Sequence, residues 1–365
     1  MILLSAIINQ FEERFRLKYH HTITPEHESG LAAMKMCRHY DGPQMLTQCS
    51  ADDCDETRYV PHSCGHRLCS HCQNHENWQW IENQLGKLLP ARYFLITFTV
   101  PHQLRELTRR HQDEVYPLMF ECMQKTLKSF TSNDKNLGGK AGFTAILHTH
   151  SRRLNFHPHI HVVMPAASID STTGLWRCKR AKYIFHHKAL AKVFRAKLLE
   201  GIYNKGLPVP AKCPKEWVVD CKDVGKGDKA LIYLGKYLYK GVIQEKDIIC
   251  CDDEFVTFRY LDSNTGRLEK RRVAGDFFLY LLMQHTLPKG FRRAREYGFL
   301  HPCSKRVIKL LQLVLRINPV RLLFKRKVRP KICCRLCGQP MEIIKTMVRR
   351  PVSVFGVPIS TGAAM

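Results

Sequence analysis

Apolar positions recur at helical spacing through residues 1–36, then thin out between Cys37 and Cys72, where Cys, His, Asp and Gly take their place. A segment so short of aliphatic side chains cannot form a core unaided. Helical spacing resumes over residues 73–89. Tyr93-Phe94-Leu95-Ile96-Thr97-Phe98-Thr99-Val100 is a β-branched and aromatic run closed by Pro101, the pattern of a buried strand. Residues 114–130 are periodic as a helix and lead into the turn-rich stretch 132–139. Strands are predicted at 143–150 and 159–164, joined by the basic connection Ser151-Arg152-Arg153-Leu154-Asn155. Helices follow over 187–204 and 229–240, and the runs 255–260 and 268–273 flank Asn264-Thr265-Gly266 as a hairpin. This order predicts an α+β fold with a central, largely antiparallel sheet flanked by helices. Three regions are expected: an N-terminal unit over 1–89, the sheet core over 90–300, and a basic C-terminal region over 301–365 that ends in a flexible Pro/Gly/Ser tail.

Charge narrows the function classes. There are 58 Lys and Arg against 32 Asp and Glu, a net +26, which points to a polyanionic partner. An apolar share of 44% is that of an ordinary globular chain and excludes global disorder. Runs of eighteen apolar residues are missing, so no membrane span is expected. Met1 to Arg16 lacks a small-residue cleavage site and does not read as a signal peptide. A cytoplasmic, nucleic-acid-bound protein is the working class.

Sixteen cysteines are present, and nine fall into two local clusters. Cys49-x4-Cys54 and Cys69-x2-Cys72 are short-spaced pairs separated by fourteen residues, suited to a tetrahedral Zn²⁺ site. Cys37 and Cys64, with His66, are spare ligands for a second site. Buried structural thiols are the alternative, disfavoured because a segment this poor in aliphatics needs metal to fold. Around Cys333-Cys334-x2-Cys337 only one pair is evident, and half a knuckle and free thiols are equal readings.

On a strand, His159 and His161 share a face while Ile160 and Val162 point into the core. Two imidazoles on one rigid face can chelate a divalent ion. With 19 His in the chain, one His-x-His arises by chance, whereas His157-x-His159-x-His161 is expected only about 0.05 times. By that standard His148-x-His150 reads as an accident. On the helix over 229–240, Tyr233 and Tyr237 lie one turn apart beside Lys229, Lys236 and Lys240, with Leu231, Leu234 and Leu238 opposite. Core aromatics would share the leucine stripe. A phenol of pKa about 10 is a poor nucleophile at neutral pH, so neighbouring cations, a metal-polarised target, or both are needed.

These features in this order resemble the HUH-type, two-tyrosine rolling-circle transposases of bacteria, specifically the insertion sequence ninety-one family. The resemblance covers most of 37–299. It runs through Cys69-x-x-Cys72-Gln73, Tyr93-Phe94-x-x-x-Phe98-Thr99-x-Pro101-His102, His157-Pro158-His159-Ile160-His161 and Tyr233-Leu234-x-Lys236-Tyr237 to Pro288-Lys289-Gly290-Phe291. Two departures are the four-residue gap in Cys49-x4-Cys54, more often two in the family, and the wording of Ser63 to Leu68. The resemblance implies an HUH nuclease core with a small N-terminal zinc-binding domain. It implies that His159 and His161, with His157 the nearest third ligand, hold Mg²⁺ or Mn²⁺. Tyr233 or Tyr237, assisted by Lys236, would attack the scissile phosphodiester of single-stranded transposon or target DNA and form a 5′-phosphotyrosine, without ATP. Spacing ranks neither tyrosine first.

Arg152, Arg153, Lys240, Arg292 and Arg293, together with 321–331, are the expected phosphate contacts. Phe291, Tyr297 and Phe299 are expected to stack on unpaired bases. A nucleoid location follows from such a substrate. Replication initiators and relaxases share the chemistry but do not normally pair this zinc segment with the Pro288-Lys289-Gly290-Phe291 block. From a different class, a zinc-finger DNA-binding regulator would use the same histidines and tyrosines only structurally.

Overall fold

The runs richest in β-branched and aromatic residues form the centre of the molecule. In the computed structural model, residues 2–72, 74–239, 241–262, 265–317 and 331–348 are described. Five strands lie in the order Ala294–Tyr297, Phe143–His150, Phe156–Pro165, Tyr93–Thr99, Val219–Asp223, and every neighbouring pair is antiparallel. The period of two sorts their side chains. Phe94, Ile96, Phe98, Leu147, Ile160 and Val162 face the helices Gln112–Asn133 and His187–Asn204 in the largest core. Tyr93, Leu95, Ile146 and Val163 face the other way, against the helices Asn74–Leu85 and Asp228–Tyr239. Those two helices approach closely because position 235 is glycine: a Cβ there would overlap the Ile81 side chain.

A second core joins distant parts of the chain. The helical spacing of residues 1–36 resolves into Leu4–Tyr19 and Pro25–Lys35, the second capped by Thr24, whose hydroxyl accepts from the His27 N–H. Ile7, Ile8 and Phe11 of the first helix pack with Phe278 and Leu282 of helix Gly275–Met283 and with Val256 and Phe258 of the hairpin Phe255–Leu261/Leu268–Ala274. Gly275 allows this, since a Cβ there would strike the Phe11 ring. The ligand-rich stretch also contains two strands that alternation did not reveal, Gln44–Cys49 and Thr57–Pro61. They pair with each other, and Gln44–Cys49 pairs along its other edge with the C-terminal strand Met341–Val348. Packing therefore crosses the boundaries expected at residues 89 and 300. Lys240, most of the basic run 321–331 and the tail from 349 lie outside the described residues. Among the described residues, no helix is long and apolar enough to cross a membrane.

Candidate active site and metal centres

Side-chain alternation places His159 and His161 on the sheet face beneath the helix Asp228–Tyr239, and the neighbouring strand supplies a third imidazole. His148 stands directly opposite His159 in the ladder, and the ligand atoms of His148, His159 and His161 all lie within 4.8 Å of one another. The expectation that His148 was an accident of composition is corrected. The third position expected for His157 is corrected too: its Nδ1 accepts a 2.6 Å hydrogen bond from Arg105, and it lies outside the trio. His159 Nδ1 lies 2.6 Å from the His157 carbonyl and His161 Nδ1 lies 2.9 Å from Thr97 Oγ1. If both nitrogens carry their proton they donate to those oxygens, and each Nε2 is left free for a ligand. His148 Nε2 is buried with no hydrogen-bond partner. Such an orphan at the meeting point of three imidazoles is what a bound cation would satisfy. Burial lowers His159 to about 4 and holds His148 and His161 well below the usual imidazole value, with neighbouring histidines adding to the shift in both of the latter. All three are therefore neutral donors at neutral pH.

Both tyrosines adjoin this trio. The Tyr237 ring stacks on His148 at 5.0 Å between centroids, and Tyr233 lies 4.7 Å from Tyr237. Leu231, Leu234 and Leu238 of the same helix are buried on its other side, while Tyr233 is 38% exposed. Burial raises the Tyr233 pKa, its contact with Tyr237 raises it further, and Arg152 opposes the shift. A cavity of about 430 Å³ opens here, lined by His150, Arg152, Tyr233, Lys236, Tyr237 and Tyr260. Lys236 is exposed beside the tyrosines, as its position on the helix predicts.

The expected DNA contacts divide. Arg152 and Arg153 are exposed on the turn between the two histidine-bearing strands, and Arg292 is exposed too. Arg293 is corrected: its guanidinium reaches 3.4 Å to the Tyr237 carbonyl, and burial lowers its pKa. Its position braces the tyrosine helix from behind. The expectation of base stacking by Phe291 and Phe299 is also corrected. Phe291 is buried against Tyr116 and Phe120, Phe299 against Trp176, and Tyr297 stacks on Phe143. A basic side chain between apolar neighbours gives no signal of which way it faces.

The thiols form two quartets, and neither is the expected pairing of Cys49–Cys54 with Cys69–Cys72. Cys37, Cys64, Cys69 and Cys72 converge, with Sγ separations of 3.5 Å (Cys37–Cys69) and 3.7 Å (Cys37–Cys72 and Cys64–Cys72). Zn–S bonds of about 2.3 Å give a tetrahedral edge of about 3.8 Å. Hydrogen bonding among the four sulphurs pulls Cys37 and Cys72 toward thiolate and holds Cys64 and Cys69 as thiols, a conflict that a divalent cation removes. Cys49 and Cys54 instead meet Cys334 and Cys337 from the far end of the chain. His66 is in neither group.

Two family comparisons agree with this layout. The family described as "Transposase zinc-binding domain" matches residues 7–100, and the one described as "Putative transposase" matches residues 142–307, the span that holds the histidine strand and the tyrosine helix. The chain belongs to the insertion sequence ninety-one family of transposases. A similar protein, "Transposase for insertion sequence element IS801" of Pseudomonas savastanoi pv. phaseolicola, is 26% identical over 74% of this chain and 70% of its own length. "Putative transposase y4qJ" of Sinorhizobium fredii is 28% identical over 81% of this chain and 80% of its own. Among solved structures, the conjugative relaxase TrwC in complex with mutant oriT DNA aligns at 20% identity and a TM-score of 0.28, over 34% of this chain and about half, 48%, of that one. A metal-free TrwC complex aligns at 14% identity and a TM-score of 0.28, over 62% and 72%. For an insertion sequence ninety-one transposase, the sheet, the zinc-binding segment and the paired tyrosines thus occupy one α+β framework.

Proposed function

We propose that this transposase nicks and rejoins single-stranded DNA at transposon ends and in target DNA, through a tyrosine that becomes joined to the 5′ phosphate, and that it works on nucleoid DNA in the bacterial cytoplasm. The observation that carries the reading is the stack of Tyr237 on His148, with Tyr233 adjoining it and both rings beside three convergent imidazoles. The phenol oxygen of Tyr233 or Tyr237 forms a bond to phosphorus as the P–O3′ bond breaks. The phenol proton is lost and the departing 3′ oxygen gains one, leaving a 3′-hydroxyl and a 5′-phosphotyrosine. The ester bond is conserved in the adduct, so the reverse attack by a 3′-hydroxyl needs no ATP. Lys236 and Arg152 offset phosphate charge beside the phenols, and Arg153, Arg292 and Lys240 hold flanking nucleotides.

His148, His159 and His161 would hold Mn²⁺ or Mg²⁺, which when bound supplies a Lewis acid toward a phosphate oxygen. A pair of tyrosines allows one to keep the cleaved strand while the other opens a second. The test is a 3′-labelled single-stranded oligonucleotide carrying the element's end, incubated with protein and Mn²⁺ or Mg²⁺ and run on a denaturing gel. A labelled band at protein mass, absent from the Tyr233→Phe/Tyr237→Phe variant, is expected. Failure of the parent protein to form the adduct with either metal would favour a non-catalytic DNA-binding regulator.

A further inference from the structure

Cys334 and Cys337 lie beyond both matched family spans, more than two hundred residues from the zinc-binding segment. We propose that Cys49, Cys54, Cys334 and Cys337 bind a zinc ion of their own, a clasp that joins the two ends of the chain into one module. The inference stands independently of strand cutting.

Three observations carry it. The first is spacing: Cys49 Sγ lies 3.3 Å from Cys337 Sγ, Cys54 Sγ lies 3.8 Å from Cys334 Sγ, and all four fall within 4.8 Å. Those values bracket the edge of a tetrathiolate tetrahedron, about 3.8 Å for Zn–S bonds near 2.3 Å. They are far longer than a disulfide bond, about 2.05 Å, and all these cysteines are free. The second is the local backbone. Residues 332–341 form a tight loop in which the Gly338 N–H bonds the Cys334 carbonyl at 3.1 Å, the Cys334 N–H bonds the Gln339 carbonyl at 2.8 Å, and the Leu336 N–H approaches Cys334 Sγ at 3.4 Å. Gly338 takes a φ of +74°, which glycine adopts freely. An amide proton directed at sulphur stabilises a thiolate, and the loop presents both sulphurs on one side. The third is how little apolar burial supports the strand pairing beside the four sulphurs. Among the described residues the apolar cluster here comprises Cys49, Cys334 and Met341, fringed by Ala51, Cys54 and Ile332. So small a core adds little to the backbone ladder that joins two segments 280 residues apart in sequence at Cys54 and Cys334, and a metal cross-link would offset the cost of closing so long a loop.

With four sulphur ligands the coordination sphere is full, so the ion is structural. The ladder continues from it: Cys49 pairs with Met341, and the two strands run on antiparallel to Gln44 and Val348. The quartet of Cys37, Cys64, Cys69 and Cys72 closes within 36 residues, whereas the clasp can close only after residue 337 has been made. A chain cut short before Cys334 keeps the first site and loses the second.

The test uses the full-length chain, treated with iodoacetamide under native conditions and mapped by mass spectrometry. Cys333 and Cys337 are both exposed, so accessibility alone predicts equal labelling. The clasp predicts that Cys333 labels at once while Cys337 resists together with Cys49, Cys54 and Cys334. A strong zinc chelator would then render all four reactive together. In parallel, the Cys334→Ser/Cys337→Ser variant would carry one zinc equivalent fewer than the parent. Labelling of Cys337 at the rate of Cys333 in untreated protein would overturn the proposal, as would a variant that keeps the parent's zinc content. If the variant fails to fold, the labelling of the parent chain decides alone.

Discussion

The imidazole trio and the thiol quartets are alike in that each brings its donors within 4.8 Å, yet they are assembled in opposite ways. His148 and His159 are register partners in a ladder whose far face packs against two long helices through Phe98, Ile160 and Val162. Their positions are set by hydrogen bonds and apolar burial before any cation arrives. The thiols project from turns and short strands: Cys69 and Cys72 reach into the second core, whereas Cys49 and Cys334 are buried beside Met341 in a far smaller cluster. The imidazoles occupy a place the fold provides, whereas the quartet of Cys49, Cys54, Cys334 and Cys337, with little apolar burial around it, would depend on a bound cation for its shape. The difference teaches that the same geometric signature has opposite consequences for stability.

The comparison breaks most readily at its two extremes. His159→Ala is expected to lower adduct formation by roughly a hundredfold to a thousandfold, as loss of several kcal/mol of charge stabilisation implies. Its melting temperature should stay within a few degrees of the parent's, read by circular dichroism. Cys69→Ser is expected to do the reverse in stability terms, lowering the melting temperature by more than about 10 °C, since structural zinc contributes folding free energy directly. Proteolysis between residues 37 and 72 would report the same collapse. If both variants melt alike, the distinction is lost.

Smaller effects sharpen it. Thr97→Val removes the hydroxyl 2.9 Å from His161 Nδ1, and Mn²⁺ affinity measured by electron paramagnetic resonance should weaken about 10- to 100-fold while the fold is unchanged. Acid supplies the mildest test. His159 and His285 are both lowered to about 4 by burial, partly offset by hydrogen bonds to the His157 and Leu154 carbonyls. In the unfolded chain each titrates near 6.5. Their contribution is therefore complete above about pH 6.5 and is lost as pH falls toward 4, because the unfolded state binds the extra protons. Urea unfolding in weak chelator at pH 5 should show about 2 kcal/mol less stability per imidazole than at pH 7.5.

The strands that position the site were legible because their side-chain preference is local. The Tyr93 run and the 143–150 strand needed only β-branched and aromatic residues in sequence, and the helix face of Tyr233 and Tyr237 needed only the helical period. His148 was not legible, since its meaning depends on which residue lies across the ladder. Cys334 and Cys337 were undecidable for the same reason at longer range: their partners are at the other end of the chain. Arg293 and Phe291 show a third limit. Charge and aromaticity fit a nucleic-acid surface, but packing turned both side chains inward.

The pairing of His148 with His159 across the short turn at residues 151–155 gives that turn a parity. Adding or deleting one residue there, with the downstream strand sliding to compensate, would carry an imidazole through the sheet to the side where Ile160 and Val162 are packed. Two residues would move it along the side it already occupies. An odd change that slides the strand would therefore set imidazoles against the core and bring Ile160 and Val162 out of it, costing the fold and the cation site together.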